Sequence, residues 1–544
     1  MTHHYPIIYI RGFAMRASER DETAADPFCG FNVGSTVYRA VESRNKLADK
    51  MVFESPVVRL MSEFQYQHVY QNGFDIMDGD WQPARDENGN VIPGIAPASI
   101  IILRYYDDGS DLLGDGRSRN VLEYAQKLNE VILTVRQRVA EYLHNGQQVM
   151  PEADFKCYLV AHSMGGLVAR AFLQGAPLGL PHAYTEARAT VDKFFTFATP
   201  HNGIDMLGMN VPYWFTAAQA NTFNRNYMRD YLNLGNLSPA FNGRVDLIPS
   251  SAFPINRVFC MVGSNRGDYE VLKGAVRAFV GHGSDGLVRI DNASLWGVQT
   301  DPHGALVEGS QQPAATAYAY RSHSGYFGIV NSEEGYQNLT RFLFGDVRVD
   351  VYLEVSSVSL PQEVQDAVDD GRTLEAGYQF EFRAAPKGKR WFLTRRQSVE
   401  DSPACRSHEE LTQPGHGPCT VYLSSVFLAK RAKVDKSPAL SYAMAFAAKV
   451  PDYVIERRFW MDGHFEGADL FRGTAIVELT PPADAASTSP WHVKLWWLNA
   501  NIDAVEAQVL FSANTPSFDI RLPFDQPDRP GISGCLRLTV QPWA

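Results

Sequence analysis

The chain has 544 residues, of which 45% are hydrophobic and 20% charged, and this composition is typical of a globular protein with more than one domain. Its formal net charge of −11 and its lack of a long basic run argue against nucleic acid as the main partner. The sequence also has no apolar run of the length that a membrane-spanning helix needs.

The N-terminus and the cysteines bear on the compartment. The first six residues lead directly into an apolar strand, without the basic segment and long apolar core of a secretory signal. Six cysteines in so long a chain do not indicate a disulfide framework. We therefore expect a reducing, cytoplasmic location. Export by a signal-less route, or as a processed chain, stays open.

The first predicted strand covers residues 6–10 and ends in the glycine turn Arg11-Gly12-Phe13. A long segment, residues 14–97, follows it. Such a segment in a compact domain is either a cover over a site or a subdomain with its own core. Aromatic side chains would suit both roles, and the segment contains Phe64, Tyr66, Tyr70, Phe74 and Trp81.

Strands and helices then alternate along the chain. A strand is predicted at 99–106, a long helix with one apolar face at 121–143, and a buried strand just before Ser163. Helical spacing of apolar residues begins again after this serine. Further strands are predicted at 191–198, 256–262 and 314–320. A closing helix is predicted at 333–344, with a capping box formed by Asn331 and Glu334. This order predicts an α/β fold: a mostly parallel sheet with helices on both faces.

Ser163 lies where the central strand turns into a helix, and small residues flank it at Ala161, Gly165 and Gly166. Such a joint can hold a serine in a strained backbone with its hydroxyl exposed. The helix start would also point N–H groups at negative charge forming there. The alternative is an ordinary strand-to-helix joint with an inert serine.

This segment resembles the nucleophile elbow of the α/β-hydrolase superfamily, in the His-Ser-Met-Gly-Gly form of lipases and esterases, with Ala161 in place of the first glycine. The resemblance implies that Ser163 is the nucleophile. It also implies that the backbone N–H groups of Phe13 and Met164 form an oxyanion hole. Arg11 replaces the histidine that the family places before the glycine, and a plain glycine turn is the alternative for this loop.

Two loops resemble the remaining parts of the family's triad. The sequence Asp285-Gly-Leu-Val resembles the acid loop, with Asp246 and Asp268 as rivals and an ordinary turn aspartate as the alternative. His323 follows the last strand, where the family places its base.

His282 and His303 are the rivals for the base. The order Ser163, Asp285, His323 is the order of this superfamily.

Residues 199–203, Thr-Pro-His-Asn-Gly, also resemble superfamily lipases, and an apolar segment at 204–250 follows them. We expect this segment to cover the site, with His201, Trp214 and Phe215 in contact with substrate. The alternative is a helical insertion that packs on the sheet.

From residue 346 onward, apolar and polar residues alternate in short runs, which predicts a β-sandwich accessory domain over 346–544 after a catalytic domain over 1–345. Its tryptophans would fill the core or form a surface patch for lipid, polymer or a partner: Trp491, Trp496 and Trp497.

The set Cys405, His408, His416 and Cys419 contains ligands that zinc accepts, but the gap between its halves is short for a zinc module. A disulfide between the two cysteines, or free thiols, is favoured over a metal.

The resemblance covers residues 6–344 and is greatest to bacterial lipases and to lipase-like deacylases of the PGAP1 type. It implies a carboxylic ester hydrolase that acts on a small-molecule or lipid ester and needs no metal or organic cofactor. The same triad would also serve an acyltransferase, a thioesterase or an amidase. A binding module with a vestigial pocket is the alternative of a different class.

Overall fold

The computed structural model describes residues 4–12, 35–39, 49–53, 56–71, 74–104, 120–175, 184–206, 209–210, 220–235, 237–267, 283–325, 328–412, 418–433, 436–455, 463–482, 491–498, 505–509 and 517–544. The chain divides into two compact units, Met1–Ala314 with Arg321–Tyr336, and Ala315–Tyr320 with Gln337–Ala544. The predicted division after residue 345 stays a prediction. Among the described residues, no helix is both long and apolar enough to cross a bilayer.

The central sheet has seven strands in the order β7-β6-β5-β4-β1-β3-β2. The strands are β1 Ile7–Ile10, β2 Gln67–His68, β3 Ser99–Ile102, β4 Cys157–His162, β5 Val191–Phe197, β6 Val258–Gly263 and β7 Ala315–Ala319. Neighbours from β2 to β6 pair in parallel. The predicted α/β fold, with a mostly parallel sheet, is confirmed.

Burial explains why the central strands are continuous apolar runs. Every residue of β1 and β4 is buried, and Ile8 of β1 pairs with Leu159 on one side and Ile101 on the other. Strands of a parallel sheet need apolar side chains on both faces because helices cover both. The helices of this part are α1 Pro56–Phe64, α2 Val121–Glu141, α3 Met164–Leu173, α4 Thr185–Arg188, α5 Arg225–Tyr231 and α6 Glu333–Phe344.

The long segment between β1 and β3 contains more regular structure than its sequence predicted. It forms helix α1 and a hairpin of strands Ser35–Arg39 and Asp49–Phe53. Trp81 packs in the core beside the sheet, and its Nε1–H donates to the carbonyl oxygen of Val69 at 2.8 Å. Phe64 and Tyr66 are buried as well, so these aromatic residues belong to a core.

The region from residue 347 onward consists mainly of antiparallel sheets, as the predicted β-sandwich requires. One sheet has the order β12-β8-β18-β17 and the other the order β10-β9-β13-β14-β15-β16, with β11 paired to β9. Its strands are β8 Val347–Ser359, β9 Leu374–Pro386, β10 Thr394–Arg396, β11 Ala404–Ser407, β12 Cys419–Leu428, β13 Leu440–Ile455, β14 Gly463–Thr480, β15 Trp491–Trp497, β16 Val505–Val509, β17 Phe518–Asp525 and β18 Gly531–Pro542.

Side chains of both sheets form one hydrophobic core, which includes Val349 and Leu536 of the first sheet and Phe380 and Tyr442 of the second. The predicted sandwich is therefore confirmed. A helix absent from the prediction, α7 Gln362–Asp369, packs Val364 into the same core.

Two of the three candidate surface tryptophans lie in this core. Trp491 and Trp497 are buried, and the indole N–H of Trp497 donates to the carbonyl oxygen of Pro523 at 2.8 Å. Trp496 is half-buried. Cys405 and Cys419 are thiols and form no disulfide with each other. Within the described part of the chain, no three metal-ligating side chains converge; His416 lies outside it.

Lys193 is a buried lysine within the central sheet. It lies in β5 opposite Tyr158, is 1% exposed, and its Nζ lies 5.8 Å from the centre of the Tyr158 ring. Burial lowers the pKa of this amine to about 7, because the charged form loses its hydration. Folding therefore favours the neutral amine.

This lysine predicts a stability that rises with pH. Between pH 7 and about 10, the unfolded chain keeps a proton on this lysine that the folded chain releases, so the free energy of unfolding increases by up to ~1.4 kcal/mol per pH unit. Lys193→Met should reduce that slope, measured by urea denaturation at pH 7 and pH 9. Lys156→Met, at a partly exposed lysine of the same unit, is the control. Equal slopes for wild type and Lys193→Met would contradict the expectation.

Candidate active site

Ser163 occupies a strained turn between β4 and α3. Its backbone angles are φ 54° and ψ −128°, a combination that costs free energy for any residue with a side chain. Close packing around the turn holds it there. A Cβ atom at Gly165 would lie 2.2 Å from the carbonyl oxygen of Ile10, and one at Gly166 would lie 2.2 Å from Oγ1 of Thr199. The two glycines therefore let helix α3 start directly against the strand ends.

The structure brings the three predicted triad residues into contact. His323 Nε2 lies 2.8 Å from Ser163 Oγ, and His323 Nδ1 lies 2.9 Å from Asp285 Oδ2. All three side chains are buried. A carboxylate beside Nδ1 assigns the ring proton to that nitrogen, so Nε2 is left to accept from the serine hydroxyl. The group can therefore remove a proton from Ser163.

Backbone groups fix the acid. Asp285 Oδ1 accepts from the N–H of Leu287 at 3.0 Å and of Val288 at 2.8 Å, which leaves Oδ2 for the histidine. The end of β6 approaches closely, since a Cβ atom at Gly263 would lie 2.9 Å from Asp285 Cβ. The carboxylate is thus positioned by its own turn.

The rival residues lie elsewhere or outside the described residues. Asp246 is buried and bonded to Arg244. His303 is exposed, and its backbone N–H donates to Asp301. Asp268 and His282 lie outside the described residues.

An ion pair secures the loop that carries His323. Arg321, two residues before His323, donates to both oxygens of Glu334 at 3.1 Å. Glu334 was predicted to form a capping box with Asn331, and this prediction was wrong. The N–H of Gly335 bonds instead to Oγ of Ser332 at 3.0 Å, so Ser332 caps helix α6 and Glu334 is available to Arg321.

The predicted oxyanion loop lies against Ser163. A Cβ atom at Gly12 would lie 2.4 Å from Ser163 Cβ and 3.1 Å from Ser163 Oγ. Met164 is the first residue of α3, and N–H groups at a helix start have no acceptor within the helix. Phe13 lies outside the described residues.

Sequence reasoning missed Arg170, a fully buried arginine on α3. Its guanidinium donates to the carbonyl oxygens of His201 at 2.8 Å, Val245 at 2.8 Å and Leu247 at 2.7 Å. Burial lowers its pKa to about 10. The charge ties the segment after β5 to the nucleophile helix. Its signal in the sequence is a lone arginine within an otherwise apolar helix.

His201 is one of the predicted substrate-binding residues. It is fully buried, its Nε2 lies 3.2 Å from Thr196 Oγ1, and burial holds its pKa well below the usual range. Its contact with substrate stays a prediction. Trp214 and Phe215 lie outside the described residues.

Comparison with known proteins finds likeness only at the level of structure. No family model and no curated protein sequence matches the chain. Phospholipase PlaB from Legionella pneumophila is 10% identical, with 86% of this chain and 91% of that chain covered and a TM-score of 0.28. Lipase 1 from Pelosinus fermentans is 12% identical, with 63% of this chain and 99% of that chain covered and a TM-score of 0.26. The lin2722 product from Listeria innocua is 13% identical, with 63% of this chain and 94% of that chain covered and a TM-score of 0.25.

The contact at Gly12 predicts a severe effect of a single methyl group. Gly12→Ala should slow the labelling of Ser163 by a fluorophosphonate probe by about 100-fold or more, because the end of β1 must shift away from the serine. Gly79→Ala is the matched control, since a Cβ atom there meets nothing within 4 Å. Labelling of Gly12→Ala at the wild-type rate, with an unchanged melting temperature, would contradict this geometry.

Proposed function

We propose that this protein is a serine hydrolase that cleaves carboxylic esters through an acyl-enzyme on Ser163. The observation that carries the proposal is the continuous chain of hydrogen bonds from Ser163 Oγ through His323 to Asp285. A hydroxyl in contact with a neutral imidazole loses its proton to that ring as it attacks a carbonyl carbon. A buried carboxylate then stabilises the imidazolium that forms.

The chemical steps follow from these contacts. Ser163 Oγ forms a bond to the acyl carbon while His323 Nε2 takes the hydroxyl proton. The C–O bond to the alcohol then breaks, and His323 returns the proton to the leaving oxygen. Water next attacks the acyl-enzyme, again with His323 as base, and releases the acid and the free serine. The N–H groups at the start of α3, with Phe13 as expected from sequence, stabilise the negative oxygen.

We propose lipid or medium-chain acyl groups as the substrate class. The support is the apolar sequence at 206–215, which comes shortly after strand β5 in the chain. Strand β5 is the neighbour of strand β4, which ends directly before Ser163. Apolar sequence that follows a strand next to the nucleophile strand favours a substrate with a long hydrocarbon part.

The nucleophile can be tested directly. Ser163→Ala should lower kcat for p-nitrophenyl butyrate by roughly four to six orders of magnitude and leave the melting temperature nearly unchanged, because only the attacking oxygen is lost. Ser62→Ala, at an exposed serine, should behave like wild type. Near-normal turnover by Ser163→Ala would refute the proposal.

The substrate class has its own test. In a series of p-nitrophenyl esters from acetate to laurate, kcat/KM should rise with chain length, because each methylene group that enters an apolar site contributes roughly 0.8 kcal/mol. Turnover of acetate alone would overturn the lipid assignment and leave the ester hydrolase in place.

A further inference from the structure

His162 is a histidine that the steps above do not use. It is the last residue of β4, directly before the nucleophile, and is nearly fully buried. Its Nε2 lies 2.9 Å from the backbone carbonyl oxygen of His323, and the two imidazole rings are 5.0 Å apart between centres. A histidine at the end of the nucleophile strand thus contacts the backbone of the general base.

The chemistry of the contact fixes the role of this ring. A carbonyl oxygen can only accept, so His162 Nε2 carries the hydrogen and donates it. Burial, together with the positive charge of Arg11, holds the pKa of His162 well below its usual range, so the ring is neutral at pH 7. It therefore supplies a fixed N–H dipole.

His323 is held at both ends of its own backbone. Its N–H donates to the carbonyl oxygen of Asp285 at 3.0 Å, and its carbonyl oxygen accepts from His162 at 2.9 Å. The first anchor belongs to the acid loop and the second to the nucleophile strand. Both anchors act on the residue whose Nε2 must stay 2.8 Å from Ser163 Oγ.

We propose that His162 is a positioning residue, whose N–H holds the backbone of His323 so that the general base stays within hydrogen-bond distance of the nucleophile. This inference rests on the proposed hydrolase function and refines it. The His162 ring hydrogen-bonds to the backbone of His323 and not to Ser163 Oγ or Asp285. Its effect acts through His323, because a displacement of about 1 Å at a catalytic group can cost two orders of magnitude in rate.

Three substitutions distinguish the effect of the His162 N–H donor from the effect of the side chain's volume. His162→Gln keeps an N–H at about the reach of Nε2, His162→Asn keeps an amide of shorter reach, and His162→Met fills the space without a donor. We expect kcat for p-nitrophenyl butyrate to fall roughly tenfold in the Met and Asn variants with KM nearly unchanged, as for the loss of about one hydrogen bond. The Gln variant should recover most of the loss, and fluorophosphonate labelling of Ser163 should follow the same order.

The outcomes are distinct. Wild-type kcat in folded His162→Met, or equal rates in the Gln and Asn variants, overturns the positioning role. If the Met variant fails to fold, the comparison of Gln with Asn decides, because these differ only in reach. A wild-type protein that neither hydrolyses the ester nor reacts with the probe refutes the proposed function, and this inference with it.

Discussion

The site depends on one constraint: the backbone of Ser163 is held in a conformation that a residue with a side chain rarely adopts. Such strain persists only where the surroundings leave no room for relaxation. Gly12 and Gly165 provide this, because the end of β1 lies against the elbow at distances that exclude even a methyl group. Close packing of the β1 backbone against the elbow therefore fixes the position of the serine hydroxyl. Asp285 and His323 must be aligned to that position.

The loops that carry the acid and the base are fixed mainly through backbone groups and buried charges. Asp285 is held by the N–H groups of its own turn, and Arg321 by the two oxygens of Glu334. Arg170 fixes the segment after β5 in a similar way, because its buried guanidinium donates to three backbone carbonyl oxygens of that segment. Buried charges that are fully hydrogen-bonded specify one arrangement, since any other would leave them unsatisfied.

The sequence predicted the parts that local pattern controls. Apolar runs located β1, β4 and β5, and small residues around Ser163 indicated the elbow. Contacts between residues far apart in the chain had no such signal. Glu334 was predicted to cap helix α6, but it accepts from Arg321 instead, and Ser332 caps the helix. Local pattern gives no clear signal for strand β13, Leu440–Ile455, because its alanines and Met444 are helix formers, whereas pairing on both sides makes it a strand. The aromatic residues after β1 suited two roles in the sequence, and burial assigns three of them to a core: Phe64, Tyr66 and Trp81.

The cysteines of the central sheet give the fold a chemical consequence. Cys157 lies in the buried strand β4 and Cys260 in the buried strand β6, and burial raises the pKa of each thiol to about 12. A thiol that stays protonated and out of solvent resists alkylation and oxidation, whereas the exposed Cys405 does not share this protection. Among the cysteines in the described part of the chain, maleimide dyes would thus modify Cys405 before Cys157 and Cys260. The slower rate at which Cys157 and Cys260 are modified would then report how often the central sheet opens.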